Sequence, residues 1–149
     1  MQLNQAQLDE FENNGLIVLP QLFSKEEIAP LKTELVSLFD NPHSANIAEQ
    51  NGGAVRTAIA LHQRNPVFKR LAGHPRLLKP AHQIAGPTLY VQQVKVNVKA
   101  AFVGDLWQWH YDFATHHADD GVPQPRALNL HVFLDDVTEH NGPLYFVPG

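Results

Sequence analysis

Cysteine is absent from all 149 residues, which removes disulfides and thiolate metal ligands from consideration. Long apolar runs are absent too. Nothing approaches the roughly 20 residues that a membrane-spanning helix needs, and "MQLNQAQLDE" has neither the basic start nor the apolar centre of a signal peptide. The expected location is therefore the cytoplasm, with no membrane partner. Positive charge is scarce: 11 Lys plus Arg stand against 15 Asp plus Glu, a formal net charge of −4, which speaks against a nucleic-acid partner. No repeat, low-complexity tract or linker breaks the chain, and its length suits one domain with a core. Histidine is what the sequence has in plenty. There are nine, and His110, His116, His117 and His131 fall close together. Neutral imidazole is the commonest metal ligand, so this enrichment sets the question of function.

Helical signals dominate the first part of the chain. In "NQAQLDEFENNG" Asn4 can cap a helix with Gln7 three residues on, Leu8 and Phe11 share a face, and Gly15 can end it. "LIVLP" (16–20) reads as a short buried strand. In "FSKEEIAPLKTELVSLF" Ser24 and Glu27 form a capping box, Phe23 can staple onto Ile28, and Ile28, Leu31, Leu35 and Leu38 recur at helical spacing. Pro30 interrupts that pattern and predicts a kink or a late start. Residues 41–55 are polar and contain glycine, as in a loop. Two short helices follow, "NPVFKRLAG" capped by Asn65 and "HPRLLKPAHQIAG" closed by Gly86.

From Thr88 the period changes to two. "TLYVQQVKVNVKA" sets Tyr90, Val94, Val96 and Val98 against Gln93, Lys95, Asn97 and Lys99. "RALNLHVFLDD" sets Leu128, Leu130, Val132 and Leu134 against Asn129, His131 and Phe133. "EHNGPLYFVPG" supplies a turn at Asn141–Gly142 and a further strand. Helices followed by strands predict an α+β molecule, a helical section over about residues 1–87 packed on a mostly β core that starts at about residue 88.

The segment "GDLWQWHYDFATHHADDG" (104–121) carries the chemistry. His110 and Asp112 are two apart, and on a strand that spacing points both side chains to one face. One imidazole and one carboxylate are two parts of the 2-His-1-carboxylate arrangement of non-haem iron(II) oxygenases, which leaves coordination positions open for O₂ and a co-substrate. By itself the spacing has little weight, because a solvated His and Asp meet this way by chance.

Several ordered stretches carry more weight together. "FENNGLIVLPQLFSKEEI", "YVQQVKVNVK", "WQWHYDF", "DDG" and "NGPLYFVPG" resemble the phytanoyl-CoA dioxygenase family, and within it the bacterial hydroxylases of ectoine and free amino acids. The resemblance covers nearly the whole chain. It implies a double-stranded β-helix (jelly roll), and the use of Fe(II), 2-oxoglutarate and O₂, with ascorbate able to act as reductant, to hydroxylate an unactivated C–H bond of a small-molecule substrate. By position His110 and Asp112 would be metal ligands, and Gln93, Asn97, Trp107, Asn129 and His131 would line the co-substrate pocket. Family members continue beyond "VPG" to a second metal histidine and an arginine for 2-oxoglutarate. The chain is therefore expected to be the N-terminal part of a longer enzyme, its activity alone in doubt.

Plainer roles suit the other polar residues. His116, His117 and His140 are expected in solvated loops, Asp119 and Asp120 in a turn, His43, His62, His74 and His82 beside helix ends, and Trp109 in the core. Lys95 fits either a solvated strand position or a contact to an anionic substrate. Two other functional classes stay open on the residues alone: a non-oxidative cupin-type binding protein or epimerase using histidine as acid and base, and an inactive fragment. The substrate and the oligomeric state are not legible.

Overall fold

The computed structural model describes all of residues 1–149. Helix α1 spans Gln5–Asn14 and α2 spans Lys25–Asp40; both begin with the capping box read from the sequence. Asn4 accepts from the Gln7 amide at 2.9 Å while Gln7 answers to the Asn4 amide at 3.0 Å. Gly15 closes α1 at φ 71°, a left-handed conformation in which a Cβ would be strained. Pro30 neither delays nor ends α2, which runs through it. Proline removes one amide, and at this exposed position the released carbonyl can turn to water. Buried Ile28 and Leu31 hold the helix on both sides of it.

The stretch from 41 to 55 is more than a loop. β1 (Asn46–Ala48) and β2 (Val55–Ile59) form an antiparallel hairpin whose register slips at a bulge between Ile47 and Ala48. Alternation is too short there to stand out, so the sequence concealed both strands. Helices α3 (Leu61–Arg64), α4 (Pro66–Ala72) and α5 (Pro75–Ala85) follow. Asn65 caps α4, its Oδ1 accepting from Val67 and Phe68 amides at 2.8 and 3.3 Å, and its Nδ2 donating to Glu34 of α2 at 2.6 Å.

β3 (Lys95–Asn97) pairs antiparallel with β2, giving the sheet order β1-β2-β3. Val94, Val96 and Val98 are half-buried and Lys95, Asn97 and Lys99 are exposed, so the two-residue period is kept although only three residues join the ladder. The predicted strands at 16–20, 126–136 and 143–148 form no ladder. Leu128, Val132 and Leu134 are half-buried between exposed neighbours, but Leu130, expected on the same face, is exposed; apolar spacing records sidedness, while a strand also requires a hydrogen-bonded neighbour. The observed β content is thus three short strands, less than the mostly β core expected. The turn at Asn141 forms, with its Oδ1 accepting from the Thr138 amide at 2.7 Å. A last helix, α6, covers Asp112–Asp120.

The core lies where α2 and α4 meet one face of the sheet. Ile28, Leu31, Ala58, Leu61 and Phe68 form it, with Phe23, Leu35, Val94, Val96, Val132 and Leu134 packed around them. Ala58 and Leu61 are wholly buried and Phe68 is 2% exposed. At Ala58 a small side chain lets the helices approach the middle strand. Phe68→Ala should cost about 3–5 kcal/mol, from lost transfer energy and the cavity left behind, read as a lower urea midpoint.

The helical section is tied together at the starts of α2 and α5. Arg76 of α5 pairs with Glu27 and donates to the Leu22 carbonyl at 2.6 Å, with its guanidinium 4.5 Å from the Phe23 ring centre. Arg76 foremost, then the Ser24 amide, holds the Glu27 carboxyl below its ordinary value of 4.5. A carboxyl lowered on folding stabilises the fold above the unfolded value, and that contribution fades as pH falls through the folded one. Glu27→Gln should therefore be less stable than the unaltered protein at pH 7, and the gap should narrow below about pH 4.5; paired urea titrations at both pH values measure it.

Candidate metal centre

His110 and Asp112 do not share a strand. His110 lies in an irregular segment, Tyr111 is the N-cap, and Asp112 is the first residue of α6. An acidic side chain suits that position, because the free amides of a helix start favour negative charge. The turn into the helix still brings the pair together, with His110 Nε2 and Asp112 Oδ1 3.5 Å apart. That is less than twice a typical bond of about 2.1 Å from a metal to imidazole nitrogen or carboxylate oxygen.

Each remaining donor atom is held by a neighbour. His110 Nδ1 lies 2.6 Å from the Gln108 carbonyl oxygen, which can only accept, so Nδ1 carries the proton. In the neutral ring Nε2 is then a lone pair turned towards an ionised carboxylate oxygen. Two acceptors in that relation call for a cation or a proton between them. Asn129 Nδ2 donates to Asp112 Oδ2 at 2.7 Å and leaves Oδ1 free. Anchoring each ligand through its other polar atom is how outer partners fix a metal ligand's orientation. The donor set thus fits two positions of an iron(II) site. No group of three or more His, Cys, Asp or Glu side chains gathers anywhere in the structure to hold an ion.

The other residues singled out in the sequence divide. Asn129 and His131 come to the same place. His131 meets Phe146 edge to face, with ring centres 6.4 Å apart and the planes at 75°. Loss of water around it holds its imidazole below the ordinary 6.5; Asp112 opposes that shift and Lys95 reinforces it. Lys95 therefore acts on His131 from the exposed side of β3. Trp107 lies under the Arg56 guanidinium, 4.0 Å from the ring centre, with Lys99 Nζ at 5.5 Å. Asn97 accepts from Thr57 Oγ1 at 3.1 Å, across the β2–β3 pair. Gln93 instead lines a separate cleft of about 310 Å³ with Tyr90, Gln92, His116, Asp120 and Val122. The structure does not set Gln93 and Asn97 on one cavity.

Some plainer expectations change as well. His116 and His117 are on α6, not in a loop, and Asp119 and Asp120 are in its last turn. His116 Nδ1 lies 3.0 Å from Asp120 Oδ2, one helical turn on, and Gln92 reaches the same oxygen at 3.1 Å. Trp109 is not core: it is 70% exposed, its ring 6.5 Å from that of Tyr145. His74 does serve a helix end, accepting from the Arg76 amide at 3.1 Å as the N-cap of α5.

Sequence reasoning missed Glu49 and Arg56. Both flank the hairpin turn read as loop, and no periodicity marks them. Glu49 is 4% exposed and accepts from Arg56 Nη1 at 2.8 Å through Oε2, while Oε1 is buried without a partner. The same Oε2 accepts from the Asp105 amide at 3.3 Å, and Arg56 Nη2 donates to the Leu106 carbonyl at 2.9 Å.

Comparison with known proteins bears on this geometry. The chain is 39% identical over 146 residues to an ectoine dioxygenase of Stutzerimonas stutzeri, covering 95% of this chain and 48% of that protein. It is 37% identical over 139 residues to an L-proline trans-4-hydroxylase of Streptomyces griseoviridis, covering 93% and 52%. Among solved structures, EctD from S. alaskensis with 2-oxoglutarate and 5-hydroxyectoine superposes with a TM-score of 0.78 at 32% identity, over 83% of this chain and 45% of that one. The same protein with bound Fe gives 0.71 at 30% identity, over 77% and 42%. The chain spans about half the length of the curated relatives it matches. Residues 11–149 match the phytanoyl-CoA dioxygenase (PhyH) family, and the chain belongs to that family.

Proposed function

We propose that the protein is an Fe(II)- and 2-oxoglutarate-dependent dioxygenase that hydroxylates an unactivated C–H bond of a small metabolite. The observation that carries this reading is the His110 Nε2–Asp112 Oδ1 pair, two outwardly free donors 3.5 Å apart. The relatives support it: they are named for ectoine and proline, and EctD structures contain Fe and 2-oxoglutarate. A small polar solute or cyclic amino acid is the substrate class that follows. In this reading the 149 residues belong to one double-stranded β-helix domain, with its helical section at about 1–87 and the start of its β core at about 88–149.

Iron bound here would couple the reduction of O₂ to oxidative decarboxylation of 2-oxoglutarate, giving succinate, CO₂ and a hydroxylated product. The residues supply placement. His110 offers Nε2 because the Gln108 carbonyl fixes the proton on Nδ1. Asp112 supplies the negative charge that a dication needs, and Asn129 keeps its Oδ1 free. Lost water holds the His131 imidazole below its ordinary value, which limits the positive charge it would bring near Asp112. Trp107, stacked under Arg56 close to the chain that leads into His110, completes the reading as a wall of the co-substrate space.

Activity is to be measured as succinate formation by the protein expressed from its complete gene, with Fe(II), ascorbate, 2-oxoglutarate and either ectoine or L-proline. Asp112→Ala should abolish turnover, and turnover equal to that of the unaltered protein would refute the assignment. Asn129→Ala should act more mildly, weakening Fe(II) binding about 10- to 100-fold, as expected for a partner that orients a ligand. Fe(II) affinity should also fall as pH drops through the histidine range, since a protonated imidazole cannot ligate; a flat profile would mean that no histidine binds the ion.

A further inference from the structure

We infer that Glu49 and Arg56 are positioning residues for the metal centre, acting through the segment 105–107 that leads into His110 and Asp112. The inference rests on the reading of those two residues as iron ligands. Neither Glu49 nor Arg56 touches them.

The hairpin and the site meet at this pair. Arg56 is on β2, the middle strand, beside Thr57 and Ala58 of the core region. Its guanidinium makes three different contacts: Nη1 to Glu49, Nη2 to the Leu106 carbonyl, and its flat face over the Trp107 ring. Glu49 adds a fourth by accepting from the Asp105 amide. Three consecutive residues are thus gripped, by an amide, a carbonyl and a ring. The chain then has only Gln108 and Trp109 before His110, and Gln108 itself fixes the His110 tautomer through its carbonyl.

The segment has little else to hold it. Residues 105–110 form no helix or strand, and all but Trp107 are exposed. An irregular exposed segment of this kind has many conformations, and two ligands can be preorganised only if something rigid fixes their approach. A charge pair is suited to that task. Glu49 is nearly solvent-free and its side chain is 2% exposed, so the pair loses the water that would otherwise weaken it. Guanidinium is the group that can fork between a carboxylate and a carbonyl and still stack on an indole; lysine cannot make all three contacts.

The test uses the protein expressed from its complete gene, with Co(II) as the metal probe. Arg56→Lys keeps the charge and loses the fork. The double variant Glu49→Gln/Arg56→Met removes the pair without stranding a buried charge, which lets it fold. Leu77→Ala, a core truncation in α5 outside this network, controls for general loss of stability. In metal-free protein, hydrogen exchange at the Asp105 amide should quicken at least about tenfold in both pair variants, and Co(II) affinity should fall about 10- to 100-fold. Leu77→Ala should leave both nearly unchanged. Unaltered exchange at Asp105, unaltered Co(II) affinity in the pair variants, or an equal loss of affinity in Leu77→Ala would each overturn the inference. Failure of the unaltered protein to take up Co(II) would remove the metal reading itself, and the role of the pair with it.

Discussion

The guanidinium of Arg56 starts on the middle strand of the sheet and reaches the chain that enters the candidate metal centre. Burying a charge is costly unless a partner and good geometry accompany it, and Glu49 supplies the partner from the far side of the hairpin. The hairpin therefore closes around an ion pair as well as around backbone hydrogen bonds. Its other face carries Ala58, on which α2 and α4 pack. Packing on one side of β2 and charge pairing around it are fixed by the same five residues of strand.

The helical section gives that strand something to rest on. Capping boxes start α1 and α2, Asn65 starts α4 while bonding to Glu34 of α2, and Arg76 joins α5 to the start of α2. Each helix start therefore also ties one helix to another or to the chain before it. Phe68, Leu61 and Ile28 fill the space between these helices and the sheet. The site lies outside this core, where Asp112 uses the free end of α6 and Asn129 and His131 reach it from an extended segment.

Family membership and site geometry support each other without depending on each other. The match over residues 11–149 makes no statement about tautomers. The Gln108 carbonyl and the Asn129 amide do, and they leave free the two atoms that an ion would use. Relatives named for ectoine and for proline share this half of their length with the chain, so the pattern they have in common does not distinguish the two.

Local rules were legible in the sequence. Caps at Asn4, Ser24 and Asn65, the helical repeat from Ile28 to Leu38 and the alternation from Val94 to Lys99 each involve residues a few positions apart, where propensity and hydrogen bonding act directly. The H-x-D pair was visible too, although its setting at a helix start was not. Other features depended on partners distant in sequence. β1 and β2 lack a readable period, and segments 16–20 and 126–136 alternate or run apolar without finding a ladder partner. Exposed Trp109 is apolar in a place that composition could not foresee. Glu49 and Arg56 are ordinary surface residue types until tertiary structure buries one, stacks the other on Trp107, and brings both to Asp105 and Leu106. The sequence by itself determined which residues could start helices, face a core or ligate an ion. Only the tertiary structure decided which charges would be desolvated together, because desolvation depends on every neighbour in space and not on the neighbours in the chain.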